Sequence, residues 1–465
     1  MTSFALGAYC SPRLQPSRGN PQTRLHRRSY PASVFARART HGSSRLVLTT
    51  MAAAGVDSIT WEDIQARSAS HAANYELRTN AVPSSSAGPS LPTSASASTS
   101  KRVLLYRDTN AWCPFCERVW LALEEKGIDY DTMFIDLRDK PDWFKQMVPT
   151  ALVPAAQIDG ELVWESLDIL LKLEEAFPTP ALLPSPGIER ERILALSKDL
   201  EDLGAAGFRF LRGAPFGEEP DEEKVPVMRK EFDAKLAELE VTLGGSPGPY
   251  LASSFSLADI CAVPSLERLA SNLPRARDFS LRCNPAYPRL AEWFAAMDSR
   301  DAYHVVKSDD TTHNNVIRSI FGMKFDGSTD AAATSAEVAT SGREEAAAKL
   351  SRNHVRVVAD ILQNAGIEAT ESNQTAVDAC MLRLGAQLWA MPLPPIYPPP
   401  AFKRDMSQEE KDEQERDKRA AARMKATHAA ALAFVRNRVS APRDMSASAA
   451  TEFRKAADQL LSSVY

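Results

Sequence analysis

Four apolar positions in a row, Val103-Leu104-Leu105-Tyr106, open the first clearly patterned stretch of the chain and predict a strand. Apolar positions Val119, Ala122 and Leu123 then recur at helical spacing, which predicts a helix over Pro114–Lys126 with Gly127 as the residue that ends it. Next come a strand near Tyr130–Asp136, a helical stretch over Pro141–Met147 and a strand over Ala155–Ile158. Asp159-Gly160 is a hairpin signal ahead of a further strand, Glu161–Trp164. Ser166 is the expected cap of a helix that carries Ile169, Leu170 and Leu173 on its apolar face. The sum is β-α-β-α-β-β-α in roughly eighty residues, for which a four-strand mixed sheet with helices on its faces is the natural packing.

The pattern changes after Pro178, Pro180, Pro184 and Pro186, which mark a linker. From there to about Ser308 only helical periodicity is found. Ser256-Leu257-Ala258-Asp259 reads as a capping box in which Asp259 holds a helix end and does no chemistry. Tyr287-Pro288-Arg289-Leu290 opens another helix through Trp293, Phe294 and Met297. A low-complexity stretch, 327–341, precedes a third region, 342–465, with helical segments around Glu344–Asn364, Gln374–Ala390, Ser407–Arg438 and Ala449–Ser462. Its mixed Glu, Lys and Arg content reads as a solvated face with one packing stripe. At the other end, residues 57–100 form an N-terminal extension: Ser58–Ile64 suggests a short capped helix, and the Ser/Ala/Pro tract Pro83–Ser100 a flexible linker.

Composition narrows the function classes. A chain of 465 residues, 25% charged and 44% hydrophobic, is globular and long enough for two or three domains. A net charge of −5 argues against bulk nucleic-acid binding, and the absence of a long apolar run argues against a membrane span. Residues 1–56 differ from the rest, with eight arginines, no lysine and no acidic residue. That composition is expected of an organelle transit peptide, for a plastid stroma before a mitochondrion.

Six cysteines at irregular spacing do not form a disulfide framework. Two of them, Cys113 and Cys116, stand as C-x-x-C between the first strand and the helix that follows it. This order is how a thioredoxin-type fold presents a reactive thiol. Cys113 falls at the helix N-terminus, where unpaired N–H groups and the macrodipole favour a negative charge. Pro114 suits the first helical position, which needs no N–H. Structural zinc fares badly: no second C-x-x-C and no H-x-x-x-H is present, and the other four cysteines stand alone. No metal is expected.

Together with this turn, Lys140-Pro141-Asp142-Trp143-Phe144, Val153-Pro154 and Glu165-Ser166 resemble the omega-class pattern of cysteine-type glutathione transferases in order and spacing. The flanks Leu105–Asp108, Ala111–Pro114 and Val119–Lys126, with the outlying pieces Thr60–Ile64 and Val439–Ser446, are similar to the iota class. The resemblance implies a thioredoxin-like glutathione-binding domain at 101–180, an all-helical domain at 188–308 and a helical C-terminal extension of unassigned role. It implies Cys113 as catalytic cysteine and glutathione as co-substrate. Phe115, Lys140, Val153, Pro154 as a cis proline, Glu165 and Ser166 would form the glutathione site. Small oxidised or glutathionylated molecules would be the substrates, and a homodimer is compatible with the family. The loop Met147–Leu152 departs from the pattern in lacking its Asn and Gly.

Elementary chemistry agrees. Glutathione carries two carboxylates and one ammonium, which a helix N-terminus at Ser166, Lys140 and Glu165 could meet. A free thiol of pKa about 8.5 is only a few per cent ionised at neutral pH. Each tenfold gain takes about 1.4 kcal/mol, and a helix end supplies up to about 2, so hydrogen bonds from groups such as the N–H of Phe115 and Cys116 must add to it. The expected activity is thiol transfer and dehydroascorbate reduction through a Cys113–glutathione mixed disulfide. Cys116 either resolves Cys113 or is a small buried apolar residue. A non-turning-over ligand carrier and a glutathione-ligated iron–sulfur carrier are the rival readings. A second-substrate pocket is expected between the domains, with Phe208 or Phe210 in its wall or in the core behind it, and Trp112 at its rim.

Overall fold

The computed structural model describes residues 59–69, 79–81, 102–323, 336–393 and 407–464. The expected transit segment 1–56, the tract Pro83–Ser100 and most of the Pro392–Pro400 run lie outside the described residues.

The first sheet strand in chain order is one that the sequence pattern misses. Thr79–Ala81 (β1) runs parallel to β3 (Tyr130–Ile135), with Thr79 opposite Tyr130. A three-residue polar segment has no readable alternation, so only its pairing makes it a strand. The others fall where the pattern puts them: β2 (Val103–Asp108), β4 (Ala155–Ile158) and β5 (Glu161–Trp164). The order is β1-β3-β2-β4-β5, five strands against the four expected, with β1-β3-β2 parallel and β4 and β5 antiparallel. Helices α2 (Pro114–Glu125) and α4 (Ser166–Ala176) pack on one face, and α3 (Asp142–Met147) lies on the other, where Phe144 meets Tyr106, Met133 and Ile135.

Helix α2 ends as its sequence demands. Gly127 adopts φ 64°, its N–H bonds to the Glu124 carbonyl, and the Ile128 N–H bonds back to Leu123. These are the paired bonds of a Schellman turn, which needs a residue tolerant of positive φ.

The sheet face under α2 and α4 is continuous with the core of the helical body. That body comprises α5 (Ile188–Arg212), α6 (Val225–Gly244), α7 (Leu257–Arg277), α8 (Pro288–Asp298), α9 (Asp301–Val306) and α10 (Asp310–Phe321). Helix α10 continues it past Ser308, the end read from the sequence. The capping box at α7 is present, and Asp259 also accepts from Leu251 N–H at 3.0 Å and Trp293 Nε1 at 2.8 Å. Its role is structural.

A separate core gathers α11 (Ala336–Asn364), α12 (Glu371–Leu388), α13 (Gln408–Arg438) and α14 (Ala447–Val464). Helix α1 (Trp61–Ser68), from before the sheet, docks on this unit. Trp61 Nε1 donates to Asp378 at 3.1 Å and its ring stacks on His354 at 4.2 Å. Ile64 lies so close over α12 that a Cβ at Gly385 would come within 2.8 Å of it.

Candidate active site

Strand β2 ends at Asp108, and six residues later, at Pro114, the chain enters α2. The turn between them is held tightly. Asp108 Oδ2 accepts from the Trp112 N–H at 2.8 Å, and Arg268 on α7 donates to the Trp112 carbonyl through Nε at 2.9 Å and Nη2 at 2.6 Å. Cys113 follows as the N-cap of α2, with Pro114 at the first helical position.

Cys113 is half-buried, and its Sγ lies 3.9 Å from the carbonyl oxygen of Val153. The Val153–Pro154 peptide bond is cis. A hydrogen bond from the Cys116 thiol, with the backbone N–H groups of Cys116 and Phe115, holds the Cys113 thiol below its ordinary value against burial and the Asp108 charge. Burial pushes the Cys116 thiol well above its ordinary value, with its bond to Cys113 adding to the effect. Cys116 is only 2% exposed, so it stays protonated and serves as a donor to its neighbour. Cys116 is buried, as one of the two readings from sequence has it, and is a polar partner of the sulfur and no mere apolar filler.

The other expected glutathione residues lie at the start of α4 and on the chain around α3 and β4. Lys140 Nζ donates to the Ala151 carbonyl at 2.9 Å. Ala151 takes φ 52°, the left-handed conformation that a glycine would adopt without strain. The departure in the Met147–Leu152 loop is thus met by a strained alanine that Lys140 ties down. Glu165 is exposed at φ 66° and is itself the N-cap of α4; burial of part of its surface, with Asp168 and Glu201 nearby, raises its carboxyl. Ser166 is therefore the first helical residue and not the cap expected from sequence. Its N–H is among those with no partner inside the helix.

Two charged residues near the start of α2 give no sequence signal, because charge at a helix start usually means solvent. Arg118 is 1% exposed; it donates to Glu201 at 2.7 Å and reaches Ser166 Oγ at 3.5 Å, with its guanidinium 4.9 Å from the Phe115 ring centroid. Glu117 is buried against Arg268, Oε2 to Nη1 2.7 Å. Burial, with Glu267 nearby, pushes the Glu117 carboxyl up to about 8. Burial also opposes ionisation of Glu267, yet the hydrogen bond from His313 and the charge of Arg268 hold that carboxyl below its ordinary value. Glu267 carries the charge of the pair.

A cleft between the two domains is lined by the chain neighbours of Cys113. Trp112, Pro114, Phe115 and Arg118 line it from the sheet side, Glu201, Gly204 and Phe208 from α5, Ser265 and Leu269 from α7, and Ile317 from α10. Phe208 is in the wall, as one expectation had it; Phe210 is 1% exposed in the core against Phe232 and Phe279. Trp112 lines the cleft, as expected, but is mostly buried. It is 7% exposed, and its indole N–H reaches His313 Nδ1 at 3.1 Å, the acceptor that a buried tryptophan requires.

The glutathione S-transferase N-terminal domain pattern matches residues 112–176, and the glutathione S-transferase C-terminal domain pattern matches 189–296. Protein IN2-1 of Zea mays is 30% identical over 49% of this chain and 92% of its own. Glutathione S-transferase L1 of Arabidopsis thaliana is 30% identical over 42% of this chain and 79% of its own. Glutathione S-transferase omega-1 of Sus scrofa is 31% identical over 40% of this chain and 73% of its own. The chain belongs to the glutathione S-transferase family. Its relatives lie among the lambda and omega classes, and the fold is the glutathione transferase pair of domains with helices α11–α14 added. Family membership implies glutathione use. Among the described residues, no helix is long and apolar enough to cross a membrane, and no cluster of His, Cys, Asp and Glu could hold a metal ion.

Proposed function

We propose that this transferase is a cysteine-type enzyme of the iota class that removes glutathione from mixed disulfides and reduces dehydroascorbate. The observation that carries the reading is the place of Cys113 as the N-cap of α2, its Sγ 3.9 Å from the Val153 carbonyl beside the cis Val153–Pro154 bond, with the Cys116 thiol and the N–H groups of Phe115 and Cys116 holding its thiol below the ordinary value. Preorganised donors favour the anion, and the thiolate is the attacking species.

In the first step the Cys113 thiolate attacks the glutathione sulfur of a substrate disulfide. A Cys113–glutathione disulfide forms and the substrate leaves as its thiolate. A second glutathione thiolate then attacks that disulfide, releasing oxidised glutathione and restoring Cys113. With dehydroascorbate, the Cys113 thiolate adds to a carbonyl carbon. The first glutathione thiolate attacks the Cys113 sulfur, so that the C–S bond breaks and its electron pair leaves with ascorbate. The second glutathione clears the resulting mixed disulfide, two glutathiones supplying two electrons and two protons in all. The burial and raised pKa of Cys116 favour this one-cysteine cycle over an internal disulfide.

The remaining roles are proposals of the same kind. Ser166, at the start of α4, would bind the γ-glutamyl carboxylate with Arg118 behind it, and Glu165 would pair with the ammonium. The Val153 backbone, beside Pro154, would align the cysteinyl part, and Lys140 would exchange its Ala151 contact for the glycyl carboxylate. Phe115 would contribute its N–H and ring. The acid-free residues 1–56 support plastid import as the address; a fluorescent fusion of that segment left in the cytosol would contradict it.

The test is turnover of purified protein with glutathione against a mixed disulfide and dehydroascorbate. Cys113→Ser should lose at least about a thousandfold in kcat/KM with both, because removing the nucleophile removes the covalent path. Full activity of that variant would end the proposal.

A further inference from the structure

Residues 342–465 take no part in the chemistry above, yet they end one buried contact from it. Arg454 on α14 is 6% exposed and points into the helical body. Its Nη1 donates to Asp309 Oδ1 at 2.6 Å, and its Nη2 donates to Thr312 Oγ1 at 3.1 Å and to the Val439 carbonyl at 2.7 Å. Asp309 is the N-cap of α10, accepting from the Thr312 N–H at 3.0 Å and from the Ala441 N–H at 3.3 Å. The Ser308 hydroxyl donates to the Ala441 carbonyl. The first turn of α10 is therefore gripped by the chain between α13 and α14 and by Arg454. That connecting chain is the Val439–Ser446 piece that the sequence marks out and that the reaction leaves unused.

One helical turn beyond Asp309 stands His313, with no exposed surface. Trp112 Nε1 meets its Nδ1 at 3.1 Å, and its Nε2 meets Glu267 Oε1 at 2.6 Å. An indole nitrogen only donates, so Nδ1 is bare and the ring proton sits on Nε2, directed at the Glu267 carboxylate. Phe321, on the same helix, packs its ring 6.4 Å from that of Trp112. Trp112 is the residue before Cys113, and its N–H and carbonyl are already pinned by Asp108 and Arg268. With all three polar groups of Trp112 held, the backbone entering α2 has little freedom, and the donors of Phe115 and Cys116 keep their aim at the sulfur.

We propose that the C-terminal helical unit positions the reacting sulfur: Arg454 fixes the first turn of α10, and His313 on that turn holds Trp112 and thereby the turn that presents Cys113. Arg454 and His313 are positioning residues; neither touches substrate. The inference rests on the reading of Cys113 as the reacting thiol. A stabilising brace alone would change the unfolding midpoint and leave the properties of the sulfur as they are. A positioning contact changes the sulfur.

The test compares full-length wild type with His313→Leu, His313→Gln and Arg454→Met. The first readout is the pH dependence of iodoacetamide alkylation at Cys113, followed by peptide mass spectrometry, which needs neither glutathione nor turnover. The second is kcat and glutathione KM with a mixed disulfide. His313→Leu and Arg454→Met should move the alkylation midpoint towards that of an ordinary thiol and lower kcat about tenfold, with KM changed less than about twofold. His313→Gln offers an acceptor to Trp112 and a donor to Glu267, and should recover most of both losses. If His313→Leu fails to melt cooperatively, Arg454→Met and Thr312→Val carry the test. A folded variant with the wild-type midpoint and kcat overturns the inference. An ordinary midpoint in wild type overturns instead the reading of Cys113 beneath it.

Discussion

The two sides of Trp112 are built from opposite materials. In front of it, the groups that favour a charge on the Cys113 sulfur are partial charges, two backbone N–H groups and one thiol, all within four residues of chain. Behind it lie the full charges of Glu267 and Arg268 on α7, joined through the protonated carboxyl of Glu117 on α2 and the neutral ring of His313 on α10. The difference separates two tasks. Partial charges on a rigid helix end favour an anion without forming an ion pair that would quench its nucleophilicity. Full charges, matched and buried, hold a turn rigid, since breaking one leaves an uncompensated charge away from water.

The comparison can be broken most severely from behind. Arg268→Met would strip two donors from the Trp112 carbonyl and the counter-charge from the Glu117–Glu267 pair. It should cost about 3–5 kcal/mol of stability in denaturant unfolding; a loss below about 1 would show that the network holds little.

A second prediction concerns pH. Glu117, raised from 4.5 to about 8, keeps its proton in the folded chain while the unfolded chain sheds one. Stability should therefore fall as pH rises through that window. Glu117→Gln keeps an acceptor for Arg268 and cannot ionise, so its stability should fall less between about pH 5 and about pH 8, by on the order of a few kcal/mol. Parallel curves for the two proteins would contradict the assignment of the proton to Glu117.

The smallest effect belongs to the front. Ala151→Gly removes the left-handed strain at the Lys140 contact and should raise stability by up to about 1 kcal/mol, after the added freedom of the unfolded chain is subtracted. A loss would mean that the alanine methyl packs usefully.

The front was largely legible in the sequence because its signals are local. A strand, a C-x-x-C with proline next and an amphipathic helix lie in one short run, and the Ser256–Asp259 box and the Gly127 stop are similarly compact. The back was not. Nothing near Trp112 tells whether its ring faces solvent or a partner, and the partner, His313, is 201 positions away. Glu117 and Arg118 look like surface charges until Arg268 and Glu201 are brought against them. Strand β1 has too few residues to carry a pattern. Ser166 misled by one position, since either of two adjacent polar residues could end the turn. The C-terminal unit shows its helices in sequence, but its polar contacts with α10 depend on single residues at a distance.

The most direct measurement of the central claim is the rate of Cys113 alkylation across a pH series in wild type and in Cys116→Ala. With three donors on the sulfur, wild type should react with a midpoint well below the roughly 8.5 of a free thiol, and loss of the Cys116 donor should raise it. A wild-type midpoint at that ordinary value, or one that Cys116→Ala leaves in place, would contradict the account.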